Sequence, residues 1–135
     1  MKVTANELTA NKDVKFGTSG LRGLVVDLTD NVAYAYTKAF LDSVVVGASG
    51  LLIGHDLRDS SLRITAACWN AAQDLGLTVT YVGALPTPAI AYFGIEQGVP
   101  SIVVTGSHIP FDRNGIKFYT ATGEITKDHE LLINE

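Results

Sequence analysis

The sequence predicts an α/β domain of three layers, in which helices cover both sides of a mixed, mostly parallel sheet. Short apolar runs alternate with segments whose apolar residues recur at helical spacing, which is the pattern of repeated strand and helix units. Glycine and proline separate these segments. The 135 residues can bury one hydrophobic core, so we expect a single domain over residues 1–135.

The first half of the chain alternates between strand and helix patterns. Each predicted helix begins with a side chain that can cap it, and glycines follow each helix. The predicted elements are a strand at Val14–Phe16, a glycine-rich loop at residues 17–23, a helix from Asp30 or Asn31 to about Val46, a strand at residues 51–53 and a helix from Ser60 or Ser61 to about Leu75.

The second half continues the alternation. The first strand is rich in β-branched residues, and prolines favour the first turn of the helix that follows. No capping signal ends the last helix, so we expect it to stop because the chain stops. The predicted elements are a strand at residues 77–82, a helix from Pro86-Thr87-Pro88 to about Gly98, strands at Ser101–Val104 and at residues 116–119, and a helix from Lys127 to Glu135.

Charge and composition argue against several classes of function. The net charge of −4 and the absence of a lysine-arginine run argue against nucleic acid as a ligand. No apolar span has membrane length, and residues 1–13 lack the pattern of a secretory signal. Cys68 is the only cysteine, which excludes an internal disulfide and favours a cytoplasmic setting. With 47% hydrophobic residues, we expect exposed apolar surface that can support a homodimer.

Four polar segments follow predicted strands: residues 17–22, 55–58, 86–88 and 106–117. In open α/β sheets, ligand groups gather at the carboxyl ends of the strands. We therefore expect one rim of the sheet to hold all four segments.

Ser107 is the side chain best suited to chemistry in these segments. A serine hydroxyl is a poor nucleophile unless a neighbour takes its proton or its oxygen carries a phosphate that cations stabilise. The alternative is a turn serine that hydrogen-bonds its own backbone. A phosphoserine needs a metal ion and cationic side chains around it. Arg22, Arg58 and Lys117 are the cations best placed to supply the charge.

The neighbours of Ser107 allow two interpretations each. His108 can position phosphate or relay a proton, or it can shape the loop through a backbone carbonyl. Asn114-Gly115 is a strong tight-turn pair, so we expect the chain to fold back there. This turn would bring the ammonium of Lys117 toward Ser107 as a general acid/base or a substrate contact.

Two other segments contribute polar groups. In Thr18-Ser19-Gly20-Leu21-Arg22-Gly23, glycines allow the backbone to approach an anion, and a guanidinium can bind two phosphate oxygens. The segment matches neither the Walker pattern nor the dinucleotide fingerprint. Asp56 and Arg58 predict an ion pair that orders the rim, in preference to a metal site, and Asp59 or Ser60 is expected to cap the next helix.

Four motifs, in this order, resemble the α-D-phosphohexomutases, a family that includes phosphomannomutase and phosphoglucomutase. Any one motif is a modest signal, whereas four in order across nearly the whole chain are a strong one. They are Phe16-Gly17-Thr18-Ser19-Gly20-Leu21-Arg22-Gly23, Gly54-His55-Asp56-Leu57-Arg58-Asp59-Ser60-Ser61, Pro86-Thr87-Pro88, and the Ser107 loop through Asn114-Gly115-Ile116-Lys117.

The resemblance implies the first of four domains of a mutase, the other three being absent from this chain. In that family the matching serine is phosphorylated, donates its phosphoryl group to a hexose phosphate, and is rephosphorylated from the other end of a bisphosphate intermediate. The positions so implied are Ser107, Lys117, His108 and Arg22 for catalysis, Thr18, Ser19, Arg22 and Lys117 for phosphate binding, and Asp56, Arg58, Asn114 and Gly115 for the structural rim.

The resemblance also implies cofactors. Mg²⁺ would reach this chain through a phosphate on Ser107, with its other ligands in a missing domain, and hexose 1,6-bisphosphate would be the intermediate and activator. Without those ligands and the phosphate-clamping last domain, we expect little mutase activity from these residues alone. The alternatives are a stand-alone, non-enzymatic module that binds a sugar phosphate or a protein partner, and a plain loop that binds nothing.

The chain departs from the family pattern at three positions. The commonest loop sequence in the family is Thr-Ala-Ser-His-Asn-Pro, whereas this chain has Gly106 and Ile109 in place of the alanine and the asparagine. His55 stands where an arginine is usual. The loop variant resembles bacterial phosphomannomutase-like members, which favours mannose phosphate as substrate.

Overall fold

The computed structural model of the chain describes residues 4–17, 20–107 and 109–134. Within these ranges a seven-stranded mixed sheet carries helices on both faces, which confirms the predicted α/β fold class. The predicted site residues Thr18, Ser19 and His108 lie outside the described residues.

The observed elements follow the predicted alternation. Helix α1 and strands β2 and β7 are additions that the sequence did not predict. In chain order, the elements are α1 Ala5–Leu8, β1 Val14–Phe16, β2 Leu21–Leu24, α2 Asp30–Ser43, β3 Gly50–His55, α3 Ser61–Asp74, β4 Thr78–Ala84, α4 Thr87–Gln97, β5 Ser101–Val104, β6 Arg113–Thr120, β7 Gly123–Glu124 and α5 Lys127–Asn134.

The strand order is β1-β2-β6-β5-β3-β4, with β7 beside β6. Strand β3 pairs in parallel with β4 and β5, while the four other pairings among the described residues are antiparallel. The expectation of a mostly parallel sheet was therefore wrong. A parallel pair needs a crossover of a dozen or more residues, and the connections from β1 to β2 and from β5 to β6 are shorter than that.

The core has a large part on one sheet face and a small part on the other. Alternation along β5 sends Ile102 and Val104 into the large part, with residues of α2, α3 and α5, while Val103 meets Ile90 of α4 on the opposite face. No helix among the described residues has the length and apolarity needed to cross a bilayer.

Helix caps differ from the predicted ones in two places. Thr29, not Asp30 or Asn31, caps α2, because its Oγ1 accepts a hydrogen bond of 3.2 Å from the Val32 amide. Ser60 stands at the N-cap of α3 without capping it, since its hydroxyl accepts a hydrogen bond from a distant asparagine side chain instead.

Cys68 lies in α3, is fully buried, and provides a probe of the core. Burial raises the pKa of its thiol to about 12. Because the thiolate is the reactive form, we expect Cys68 to react with a thiol reagent at pH 8 at least about 100-fold more slowly in the folded chain than in urea. Equal rates would contradict this packing, and no second thiol complicates the measurement.

Candidate functional site

Strands β3, β4 and β5 run parallel and end at one edge of the sheet, which we call the rim. The Asp56 amide donates a hydrogen bond of 2.9 Å to the Val104 carbonyl and joins the ends of β3 and β5 there. Three of the four predicted polar segments begin at this rim. The first segment follows β1, which runs antiparallel to β5, but its described residues Leu21 and Arg22 pair with Ile116 and Gly115 of β6.

Ser107 has an unusual backbone conformation at the rim. Its φ of +52° is the only positive value at a non-glycine residue among the residues described. Such a conformation costs about 1–3 kcal/mol and persists when the surroundings hold it in place. The Ser107 amide donates to Thr105 Oγ1 at 3.1 Å, and the Ile109 amide donates to the Gly106 carbonyl at 3.0 Å. The residue itself is exposed, so the loop presents Ser107 to solvent.

The Asp56 carboxylate organises this loop from the end of β3. It accepts hydrogen bonds from the Gly106 amide at 2.9 Å, the Arg58 amide at 3.0 Å and Thr105 Oγ1 at 3.2 Å, and also from the Ser61 hydroxyl. Two of these donors lie in the loop after β5, and the other two lie in the segment that leads into α3. Asp56 therefore fixes the loop that carries Ser107 to the start of α3.

The hydrogen bonds to Asp56 predict an acid-sensitive loop. Burial opposes ionisation, but the donors, led by the Ser61 hydroxyl, outweigh it and lower the pKa of Asp56 below its usual value. Since the pKa is lower in the folded state, the stabilisation is present above the unfolded pKa and is lost as the pH falls through the folded one. We expect Asp56→Asn to weaken the decline of the unfolding free energy below about pH 4, measured by urea titrations at a series of pH values.

A matched control for this prediction is Asp42→Asn. Asp42 is an exposed aspartate of α2 that makes no side-chain hydrogen bond or ion pair with any described residue. The control should keep the acid decline of the parent chain. An unchanged decline in Asp56→Asn would contradict the role given to this carboxylate.

Arg58 is a brace of the loop. Its Nε lies 3.4 Å from Asp56 Oδ2, which is the predicted ion pair, and its side chain is only 11% exposed. The guanidinium is therefore directed at the protein, in contrast to the expectation that Arg58 would serve as a phosphate-binding cation. It donates to three carbonyls of the loop, those of Ser107 at 3.4 Å, Pro110 at 2.7 Å and Ile109, and to the Arg113 carbonyl at the start of β6 at 3.1 Å.

Asn114 and Gly115 lie inside β6 and form no turn, so the predicted fold-back at this pair was wrong. The reversal occurs earlier, where the Arg113 amide donates to the Pro110 carbonyl at 3.1 Å. The Asn-Gly pair does not form its preferred turn because β6 pairs with β2 at this point, with Gly115 opposite Arg22.

The Asn114 side chain is fully buried and links β6 to the start of α3. Its Nδ2 donates to Ser60 Oγ at 2.8 Å and to Ser61 Oγ at 3.0 Å, and its Oδ1 accepts from the Gly115 amide at 2.8 Å. Since Ser61 also donates to Asp56, Asn114 belongs to the network that supports the Ser107 loop.

Arg22 and Lys117 share one face of the sheet. Arg22 of β2 pairs with Gly115, and a Cβ at that glycine would lie 3.2 Å from Arg22 Cγ and 3.1 Å from the Thr105 carbonyl oxygen. Lys117 lies two residues further along β6 and so projects to the same face. Neither side chain hydrogen-bonds or ion-pairs with any described residue.

The structure adds two residues that the sequence-based site lacks. Lys15 pairs with Arg22 across β1 and β2, which puts it on the same face, and it is exposed. We call Lys15, Arg22 and Lys117 the cationic face. Only the alternation within β1 hints at Lys15 in the sequence, and nothing in the sequence connects Ser61 to Asp56.

A metal site is not formed by the residues that the structure describes. No group of three or more histidine, cysteine, aspartate or glutamate side chains among them is arranged to hold an ion. The carboxylate bound to the Ser107 loop, Asp56, already accepts four hydrogen bonds from the protein.

Comparison with known proteins gives consistent matches. Residues 13–135 match the sequence model described as phosphoglucomutase/phosphomannomutase, alpha/beta/alpha domain I. A phosphomannomutase of Salmonella muenchen is 49% identical over 122 residues, covering 89% of this chain and 26% of the relative. A phosphoglucosamine mutase of Desulforudis audaxviator is 39% identical over 112 residues, covering 80% of this chain and 25% of the relative.

A solved structure agrees with these matches. The crystal structure of a phosphoglucomutase/phosphomannomutase family protein from Burkholderia thailandensis superposes with a TM-score of 0.75 at 26% identity, covering 98% of this chain and 30% of that one. The chain thus spans about a quarter of the length of the curated relatives, at 26% and 25%.

Proposed function

Because the chain belongs to the phosphoglucomutase/phosphomannomutase family as its α/β/α domain I, we propose that it is the catalytic-serine domain of a phosphohexomutase that interconverts hexose 1-phosphate and hexose 6-phosphate. One observation carries the proposal. An exposed Ser107 is held in a left-handed conformation by a braced loop, beside a sheet face whose cations Arg22 and Lys117 have no partner among the described residues.

Ser107 acts as a phosphoryl carrier in this proposal. In the first transfer, a hydroxyl oxygen of the bound hexose phosphate forms a bond to phosphorus as the bond from phosphorus to Ser107 Oγ breaks. The bisphosphate so formed then returns its other phosphoryl group to Ser107 Oγ. Each transfer moves one proton between the sugar hydroxyl and the serine oxygen, and we assign this proton to Lys117.

The cationic face supplies charge for these steps. Phosphoryl transfer depends on positioning and on neutralising charge over the transferred oxygens. Arg22 can bind a phosphate through two hydrogen bonds, and Lys15 adds a second positive charge beside it. Mg²⁺, held at a phosphate on Ser107 by groups outside the described residues, would add charge neutralisation when bound.

The complete protein of this proposal contains three further domains, and its partners are the hexose phosphate and those domains. A cytoplasmic location belongs to the same proposal. A homodimer is a further prediction, for which α4 offers apolar surface, with Tyr92 64% and Ile95 47% exposed.

The experiment is a mutase assay of the complete gene product with Mg²⁺ and hexose 1,6-bisphosphate. Mannose 1-phosphate, glucose 1-phosphate and glucosamine 1-phosphate are compared as substrates. We expect conversion to the 6-phosphates with mannose phosphate favoured, since the relative named phosphomannomutase is the more similar of the two described above. Binding of these sugar phosphates without conversion would overturn the proposal in favour of a non-enzymatic module.

A further inference from the structure

We propose that His55 is a positioning residue for Ser107, and that its imidazole does this by fixing the carbonyl group of Asp56, the residue that organises the Ser107 loop. The inference rests on the proposed function, since it concerns how the phosphoryl carrier is held in place. His55 is the last residue of β3, and only 6% of it is exposed. It is also one of the positions at which the chain departs from the family pattern.

Both nitrogens of the His55 ring are engaged. Nδ1 lies 2.7 Å from the Asp56 carbonyl oxygen, and Nε2 lies 2.6 Å from the Tyr81 hydroxyl oxygen. A carbonyl oxygen can only accept, so Nδ1 carries the hydrogen and donates it. In the neutral ring, Nε2 then accepts from the tyrosine hydroxyl. The two contacts together fix the tautomer and the rotation of the ring.

Neighbouring aromatic side chains hold the imidazole in this orientation. Tyr81 of β4 lies opposite Ile53 in the pairing with β3, and it therefore shares a sheet face with His55. Its ring stacks on the imidazole with the centroids 5.6 Å apart, and Trp69 of α3 stacks on Tyr81 at the same separation. The stack keeps Nδ1 directed at Asp56.

Asp56 is anchored through its amide, its carboxylate and its carbonyl. The amide donates to the Val104 carbonyl at 2.9 Å, and the carboxylate accepts from the Gly106 amide at 2.9 Å. The carbonyl has His55 as its only hydrogen-bond partner among the residues that the structure describes. Without that donor the peptide after Asp56 can rotate, and the carboxylate that holds Gly106 moves with it.

Two hydrogen bonds connect the Asp56 carboxylate to the backbone of Ser107. The Thr105 hydroxyl donates to Asp56 at 3.2 Å and accepts from the Ser107 amide at 3.1 Å. The positive φ of Ser107 persists only while such contacts hold it. Position 55 must therefore supply an N–H donor, and the arginine that is usual there in the family also carries such donors.

Two variants of nearly the same shape separate the donor from packing. His55→Asn places an amide N–H near the position of Nδ1, whereas His55→Leu has the same branched outline and no donor. Both lose the contact with Tyr81. The readout is the single-turnover rate at which saturating hexose 1,6-bisphosphate phosphorylates Ser107 in the complete gene product with Mg²⁺, corrected for the folded fraction.

We expect His55→Asn to stay within about threefold of the parent rate and His55→Leu to be slower by about tenfold, because a small displacement of a reacting group costs that much or more. His129→Leu is the matched control. His129 lies in α5, where its Nδ1 accepts from the Thr126 amide at 3.0 Å, and it makes no hydrogen bond with the described residues of the loop. The control should change the rate less than about twofold.

A rate for His55→Leu that equals or exceeds that of His55→Asn would overturn the inference. If His55→Leu does not fold, His55→Ala replaces it. Added imidazole should then restore the rate of His55→Ala, and a failure to restore it would count against the inference in the same way.

Failure of the proposed function looks different, because Ser107 would then stay unphosphorylated in the parent protein as well. In that case hydrogen exchange at the Gly106 amide, measured in the complete gene product, decides the inference alone. Faster exchange in His55→Leu than in His55→Asn supports it, since this amide donates to the Asp56 carboxylate. Equal exchange in the two variants contradicts it.

Discussion

Replacing Ser107 with alanine is expected to lower the mutase rate of the complete gene product by at least about 10³-fold, because it removes the hydroxyl oxygen to which the phosphoryl group is transferred in the proposed reaction. The measurement is a coupled assay for hexose 6-phosphate, with thermal unfolding to show that the variant is folded. Ser43→Ala is the matched control, since this α2 hydroxyl only donates to the Ala39 carbonyl of its own helix. The control should keep full activity.

A glycine at position 107 separates the effect of losing the hydroxyl from the effect of backbone strain. Because glycine adopts positive φ without a steric penalty, Ser107→Gly should be more stable than Ser107→Ala by about 1 kcal/mol. Both variants should be equally inactive. Activity above one tenth of the parent in either variant would contradict a carrier role for this hydroxyl.

Replacing Lys117 with methionine is expected to lower kcat by about 10³-fold, within the range of general acid–base catalysis. Methionine keeps an unbranched stem, which matters because a Cβ at Gly20 would lie only 3.0 Å from Lys117 Cγ. The loss should appear in kcat more than in KM, since the proton transfer occurs only in the reacting complex. Steady-state assays over a range of substrate concentrations separate the two.

Lys38→Met is the matched control for this prediction. Lys38 is an exposed lysine of α2, on the opposite side of the sheet from the cationic face, and its loss changes the net charge equally. Its kcat should stay within about twofold of the parent. An equal loss in both variants would show that net charge matters and the position of Lys117 does not.

Part of the fold was predictable because local signals agree with tertiary structure. Strand β5 was predicted with its observed bounds, and Gly98, with φ of +70°, ends α4 as expected. Strand β2 was missed because its four residues include a glycine and carry little strand propensity of their own. It exists because β1 and β6 pair with it on both sides.

The candidate site was likewise predictable from the sequence only in part. The sequence pointed to Ser107 and to the Asp56 and Arg58 pair because they lie in compact motifs after strands. It could not predict that Arg58 would pack on Gly106, since nothing local relates residues so distant in the chain. Arg22 and Lys117 share a face through strand register, which depends on pairings that no single segment encodes.

The most direct test of the carrier role is the mass of the complete gene product after incubation with hexose 1,6-bisphosphate and Mg²⁺. We expect a gain of about 80 Da, located by peptide fragmentation on Ser107 and absent from Ser107→Ala. An active preparation in which Ser107 stays unmodified, or in which the phosphoryl group is found on another residue, would contradict it.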